Sequence, residues 1–234
     1  MNVWTYWHGP CPDWVRACLR SFHRHCVRST VTVLSRDAAL RLTAGVLDPR
    51  WADLPAGTGT DCLRASLLAE HGGWWCDADT AFVRDPYTLK RLTDRGKFLY
   101  FPWPTPPDRV CAGYCYSPKG HPVARRWLDY VNSALRHAEN VGWGNLGEKC
   151  LTPIVRDAPA GTLEIPARLF MPVDVDADWE RYFLPGRWET AAAPDTVAFG
   201  LNHSRFEAAR PDQTAPPWRS SSLFHSLLAA GGAK

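Results

Sequence analysis

Two aspartates separated by one alanine, Asp77-Ala78-Asp79, directly follow the apolar run Trp74-Trp75-Cys76. Side chains alternate along extended backbone, so both carboxylates can face one way and share a hard cation through oxygen atoms. Mn²⁺ or Mg²⁺ suits such a pair and keeps open positions for substrate phosphates. Upstream, Asp61 and Arg64 stand at helical i,i+3 spacing and so share a face. Asp61 is expected in a first helical turn, where it caps free N–H groups or accepts from a ribose or sugar hydroxyl. Arg64 either pairs with it at the surface or addresses a phosphate or sugar. The denser acidic run Asp174-Val175-Asp176-Ala177-Asp178 begins like a calcium loop. Trp179 and Pro185 stand where such a loop needs Gly and Glu, so it reads as a solvated turn. His23, His25 and Cys26 would diverge around a helix and make a poor zinc site.

The elements that must position these groups follow from periodicity. Val3 to Trp7 reads as a strand running into His8-Gly9-Pro10. Trp14, Cys18 and Phe22, with Val15 and Leu19, recur at helical spacing, and Thr30 to Leu34 alternates as a β-branched strand. Strand, helix and strand in succession form a βαβ unit and favour a parallel sheet. A second helix is expected from about Thr60 to His71, ended by Gly72-Gly73, with Trp74 to Cys76 as a buried strand after it. Phe98 to Phe101 and Ala112 to Ser117 are further strands, and Val123, Trp127, Val131 and Leu135 mark a long helix after Pro122. Beyond Cys150 only short apolar pieces remain, among them Leu163 to Ile165, Leu169 to Met171 and Val197 to Phe199. The expected class is α/β, in a single domain over 1–234. Its parts are expected at 1–120 and 121–210, with a tail at 211–234.

Composition narrows the function classes. The chain has 234 residues, 45% hydrophobic and 22% charged, which is ordinary for a globular protein. A net charge of +3 is too small a bias for a nucleic-acid binder. The start lacks the basic and apolar regions of a signal peptide, and no stretch reaches the roughly 18 apolar residues of a membrane span. A cytoplasmic location follows as an expectation, with the eight cysteines as free thiols. Twelve tryptophans are an excess. Trp103, Trp143, Trp179, Trp188 and Trp218 fall in polar, loop-like surroundings, where aromatic rings anchor loops or carry sugars.

The block Thr60-Asp61-x-Leu63-Arg64, Leu67-Leu68, Gly72-Gly73-Trp74-Trp75-Cys76-Asp77-Ala78-Asp79 resembles the signature of the family 32 glycosyltransferases. These D-x-D sugar transferases are related to the catalytic domains of the large glucosylating toxins. Tyr6-Trp7-His8-Gly9 and Pro12 to Phe22 are similar to the family's opening strand, nucleotide loop and first helix. Gly113-Tyr114 through Pro122, Gly147 to Thr152, and Asn202-His203 are similar to later elements. Trp75 stands in place of Tyr, Cys76 in place of an aliphatic residue, and Glu148 where Pro is frequent. The family's Ser-Trp after the late His is replaced by Ser204-Arg205-Phe206.

The resemblance implies a GT-A fold: a Rossmann-like, mostly parallel sheet flanked by helices. It implies a nucleotide-sugar donor, a UDP-sugar ahead of a GDP-sugar, with Mn²⁺ or Mg²⁺ and retention at the anomeric carbon. On this reading Asp77 and Asp79 hold the cation, with His203 as a third ligand. Arg64 adds positive charge, Trp7 or another early aromatic stacks on the base, and Asp61 holds a donor hydroxyl. Asn145 and Glu148 line the face from which an acceptor hydroxyl attacks. The acceptor would be a glycan, a lipid-linked intermediate or a small molecule. Two other readings compete: a nucleotidyltransferase or phosphohydrolase using the same carboxylates, and a non-catalytic carbohydrate-binding protein built on the tryptophans.

Overall fold

The computed structural model describes residues 1–105, 107–138, 141–203 and 221–231. Its strands are β1 (Asn2–Tyr6), β2 (Thr30–Leu34), β3 (Gly73–Cys76), β4 (Thr80–Phe82), β5 (Phe98–Tyr100), β6 (Tyr114–Ser117), β7 (Thr162–Glu164) and β8 (Ala198–Gly200). Its α-helices are α1 (Asp13–His25), α2 (Arg36–Thr43), α3 (Ala56–Glu70), α4 (Lys90–Thr93), α5 (Pro122–His137), α6 (Glu148–Arg156), α7 (Trp188–Ala191) and α8 (Leu223–Ala230). The chain divides into two compact units whose segments interleave. The first comprises Met1–Gly9, Val31–Cys76 and Leu89–Ile165; the second comprises Pro10–Thr30, Asp77–Thr88 and Pro166–Lys234.

The first unit is built on a six-stranded sheet of order β2-β1-β3-β6-β5-β7. β1 pairs parallel with β3, and β5 with β7, while β6 runs antiparallel to both β3 and β5. Strands β1, β3, β5 and β7 therefore share one direction and β6 opposes them, giving a mostly parallel α/β sheet flanked by helices. Every residue of Gly73–Cys76 is buried, as expected of a strand covered on both faces. Two constraints fix β3 beside β1. The Trp4 indole N–H donates to the Gly72 carbonyl at 2.8 Å. Gly73 has φ +102°, and a Cβ there would lie 2.6 Å from the Asn2 carbonyl oxygen. Helix α3 packs on α5, and Trp127 of α5, fully buried, donates its indole N–H to Leu146 O at 2.6 Å.

The second unit has its own core. β4 and β8 pair antiparallel with Ala81 opposite Phe199, and α1 packs on β4. Phe22 of α1 meets Phe82 edge-on at 4.6 Å, and the Ser21 hydroxyl accepts the Phe82 N–H at 2.8 Å. Helix α8 lies along α1, where His25 Nε2 approaches Ala230 O at 3.2 Å and Trp14 meets Phe224.

The second helix differs from expectation at its start. It begins at Ala56, after Pro55, and not at Thr60. Gly57 and Gly59 sit inside its first turns, where Gly59 fits because a Cβ there would be 3.0 Å from Trp51 O. Asp61 is consequently an interior residue of α3 and not the cap of its first turn. Replacing Gly73 with Ala is expected to cost about 2–4 kcal/mol, through the left-handed backbone and the overlap with Asn2. Urea denaturation of the two proteins measures it.

Candidate functional site

In the first unit the centre of α3 carries a buried charged pair. Arg64 donates to Asp61 Oδ1, and the two side chains are only 12% and 8% exposed. The Arg64 guanidinium also lies over the Trp75 ring at 5.6 Å, a cation–π contact supplied by the strand before Asp77. The carboxylate shapes its surroundings. Burial, and after it the Asp61 charge, push the Cys62 and Cys150 thiols well up. A Cβ on Gly147, the residue capping α6, would overlap the Asp61 carboxyl group, so only glycine lets the start of α6 approach this closely.

Helix α6 turns a polar stripe toward the proline-rich segment after β5. Glu148, Thr152 and Arg156 stand at i, i+4 and i+8, hence on one face. Glu148, itself buried, accepts the Trp103 indole N–H at 2.8 Å and an Arg109 guanidinium N–H at 2.7 Å. Thr152 Oγ1 accepts Val110 N–H at 3.0 Å, and Arg156 donates to Asp108 O at 2.5 Å. Both oxygens of Glu148 are thus engaged in holding a loop and its tryptophan. Asn145 accepts from Lys149 Nζ at 2.9 Å.

A cavity of about 410 Å³ opens at the carboxyl end of β1. It is lined by Tyr6 and His8, by Arg36 at the start of α2, by Trp51 to Leu54, and by Ala56 and Gly59 of α3. The chain leaves β1 for β2 on one side of the sheet and later takes β3 on the other, which makes β1 a topological switch point. Open α/β sheets bind ligands in the crevice beyond their strand ends at such a point. Tyr6 lines this cavity; Trp7, one residue on, is half-buried and its N–H donates to Leu34 O at 3.2 Å. The turn carrying Trp51 and Asp53 is pinned by Asp48, whose carboxylate accepts the Arg50 backbone N–H at 3.1 Å and its guanidinium at 2.6 Å. Those hydrogen bonds hold the Asp48 carboxyl down to about 2.

In the second unit, Asp77 and Asp79 are half-buried on a turn that follows β3, closed by Thr80 N–H donating to Asp77 O at 3.2 Å, and Ala78 between them is buried. Asp79 accepts the His203 backbone N–H at 2.5 Å through Oδ2, and its carbonyl accepts Leu201 N–H at 3.1 Å. The His203 ring stacks on Trp14 at 5.6 Å and 22°. Burial, and then the Asp79 charge, push the Cys18 thiol well up. Among the described residues no three His, Cys, Asp or Glu side chains are grouped closely enough to hold a metal by themselves. Asp77, Asp79 and His203 therefore do not form a three-ligand protein site by themselves.

Other sequence candidates have structural roles. Asp174 Oδ1 accepts the N–H groups of Asp176 and Ala177 at 2.9 and 3.1 Å, closing a local turn. Trp179 packs edge-on against Phe183. Trp218, Ser204 to Phe206 and residues 211–220 lie outside the described residues. No helix among the described residues is long and apolar enough to cross a membrane.

A family described as "capsular polysaccharide synthesis protein" matches residues 1–109. Among solved structures, the PaToxG glycosyltransferase aligns with TM-score 0.47 and 14% identity, covering 68% of this chain and 70% of its own. The apo glycosyltransferase GlyE of Streptococcus pneumoniae TIGR4 aligns with TM-score 0.43 and 10% identity, covering 71% and 45%. No curated protein matches.

Two outcomes follow from this geometry. Glu148→Ala removes the acceptor shared by Trp103 and Arg109 and is expected to destabilise by about 1–3 kcal/mol, with a change in tryptophan emission. The Asp48 carboxyl titrates below its ordinary range of ~3.9, so its contribution is complete above that range and fades as pH falls from about 4 toward 2. The stability difference between wild type and Asp48→Asn, read by denaturation at a series of pH values, should be constant near neutrality and shrink across that acid window.

Proposed function

We propose that the chain is a glycosyltransferase of GT-A type. It moves a sugar from a nucleoside-diphosphate donor to an acceptor hydroxyl, with retention, in the assembly of a polysaccharide. The observation that carries this reading is the cavity at the end of β1, walled by the first turns of α2 and α3. Its size falls within the roughly 300–1,000 Å³ of small-molecule sites, and its place in the sheet is where nucleotides bind in open α/β folds. The described family that matches residues 1–109 supports the choice of a sugar-polymer product.

Each residue group has a task on this reading. Asp61, paired with Arg64, accepts a hydrogen bond from a donor hydroxyl, and Arg64 adds positive charge near the sugar or phosphates. Asp77 and Asp79 would hold Mn²⁺ or Mg²⁺, whose chemistry is to neutralise charge growing on a departing diphosphate. Asp79 also fixes the backbone at His203, and Trp14 fixes the His203 ring. Glu148 acts through others: it orients Trp103 and Arg109 beside the start of α6.

The test is release of nucleoside diphosphate from UDP- and GDP-sugars, with Mn²⁺ and with chelator. The expected result is metal-dependent release that falls at least ~100-fold in Asp77→Asn and Asp79→Asn, a loss of the size seen when one transition-state stabiliser is removed. Circular dichroism should show both variants folded. Unchanged turnover in both variants contradicts the assignment, and formation of nucleoside monophosphate with sugar phosphate would point to attack at phosphorus.

A further inference from the structure

We propose that the cavity at the end of β1 reads guanine, so that the donor is a GDP-sugar, with Asp53 and Arg36 as the residues that choose the base. The proposal rests on the nucleotide-sugar reading above and reverses the order of donors that the motif resemblance implies. Two opposite charges face the cavity. Arg36, 40% exposed, is fixed by donating to Ala52 O at 2.7 Å, and stands 3.8 Å from Asp53 Oδ1. Asp53 lines the cavity and is 84% exposed, so a ligand there can reach its carboxylate.

The pattern of donors and acceptors selects among bases. A carboxylate accepts only, and it is best satisfied by two parallel N–H groups. Guanine offers that pair, N1–H and an N2 amino hydrogen, on one edge, with the O6 acceptor directly beside them. Uracil offers a single N–H between two carbonyls, so one carbonyl would face the Asp53 carboxylate. Adenine and cytosine each offer an amino group next to a bare ring nitrogen, which repels a carboxylate in the same way. Arg36, anchored at Ala52, supplies the N–H donor that O6 needs. Two aromatic residues, Tyr6 and Trp51, are among those lining the cavity and meet edge-on at 6.3 Å. Asp48 and Arg50 hold the turn that presents Asp53, so the reading group stands on a fixed base.

Calorimetric titration of the whole chain with GDP, IDP and UDP, each with Mn²⁺, tests this. IDP lacks only the N2 amino group. Wild type should bind GDP several-fold to tenfold more tightly than IDP, and roughly ten- to a hundredfold more tightly than UDP, the discrimination expected of a bidentate polar contact. Asp53→Ala, at an exposed position that leaves the fold intact, should bind GDP and IDP equally. Equal binding of GDP and IDP by wild type overturns the proposal. UDP binding at least as tightly as GDP overturns it while leaving the nucleotide site standing. Failure of all three to bind removes the nucleotide-sugar reading itself.

Discussion

A charged pair inside a buried helix is a costly feature of the first unit, and its neighbours are arranged around it. Taking Asp61 and Arg64 out of water costs several kcal/mol per ion, and apolar residues of similar volume would fill the same space as well or better. Their mutual contact and the Trp75 ring recover part of that cost. The arrangement also dictates sequence elsewhere. Gly147 lacks a side chain because the Asp61 carboxyl group occupies that space, and this close approach sets where α6 begins. Once α6 is placed, Glu148, Thr152 and Arg156 reach the segment from Trp103 to Val110. One buried carboxylate thereby fixes a glycine, a helix and a loop. Such an expense is understandable when the charges hold a ligand, as the proposed function has it.

The cavity at the end of β1 shows how local chemistry makes a binding surface. A parallel pair, β1 beside β3, opens the sheet at a switch point, and the glycine at position 73 allows the two strands to close on each other. Asp48 then caps a short turn, so that Trp51 faces the core while Asp53 faces outward. The same turn meets α3 at Gly59, which has no side chain to obstruct Trp51 O. Buried ring, exposed charge and missing Cβ each come from a residue whose type suits that one position.

Much of this was legible in the sequence. Period-two and helical spacing mark β1, α1, β2, β3 and α5 within a residue or two of where they lie. The start of α3 was not legible, because Gly57 and Gly59 signal a break locally while their tolerance depends on Trp51, brought near by tertiary packing. Helix α6 was hidden by Pro153 inside it, although the spacing of Glu148, Thr152 and Arg156 was there to be read. Strand β4 has three residues, too few for a period. The residues of the site were identified as types, Asp61 with Arg64 and Asp77 with Asp79, but their environments were not. Asp61 as a surface cap and Asp61 as a buried ion have the same sequence signature. The cavity could not be read at all, since residues 6, 36, 53 and 59 come together only through the sheet.

The buried pair allows the most direct decision between a structural and a ligand-holding role. The measurement is to replace it with a volume-matched apolar pair, Asp61→Leu with Arg64→Met, and to follow urea stability alongside calorimetric binding of GDP and UDP with Mn²⁺. The expected result is a protein as stable as wild type or more so, which no longer binds the nucleoside diphosphate that wild type binds. A protein that loses stability but keeps that affinity would contradict the central claim, for the charges would then serve the fold alone.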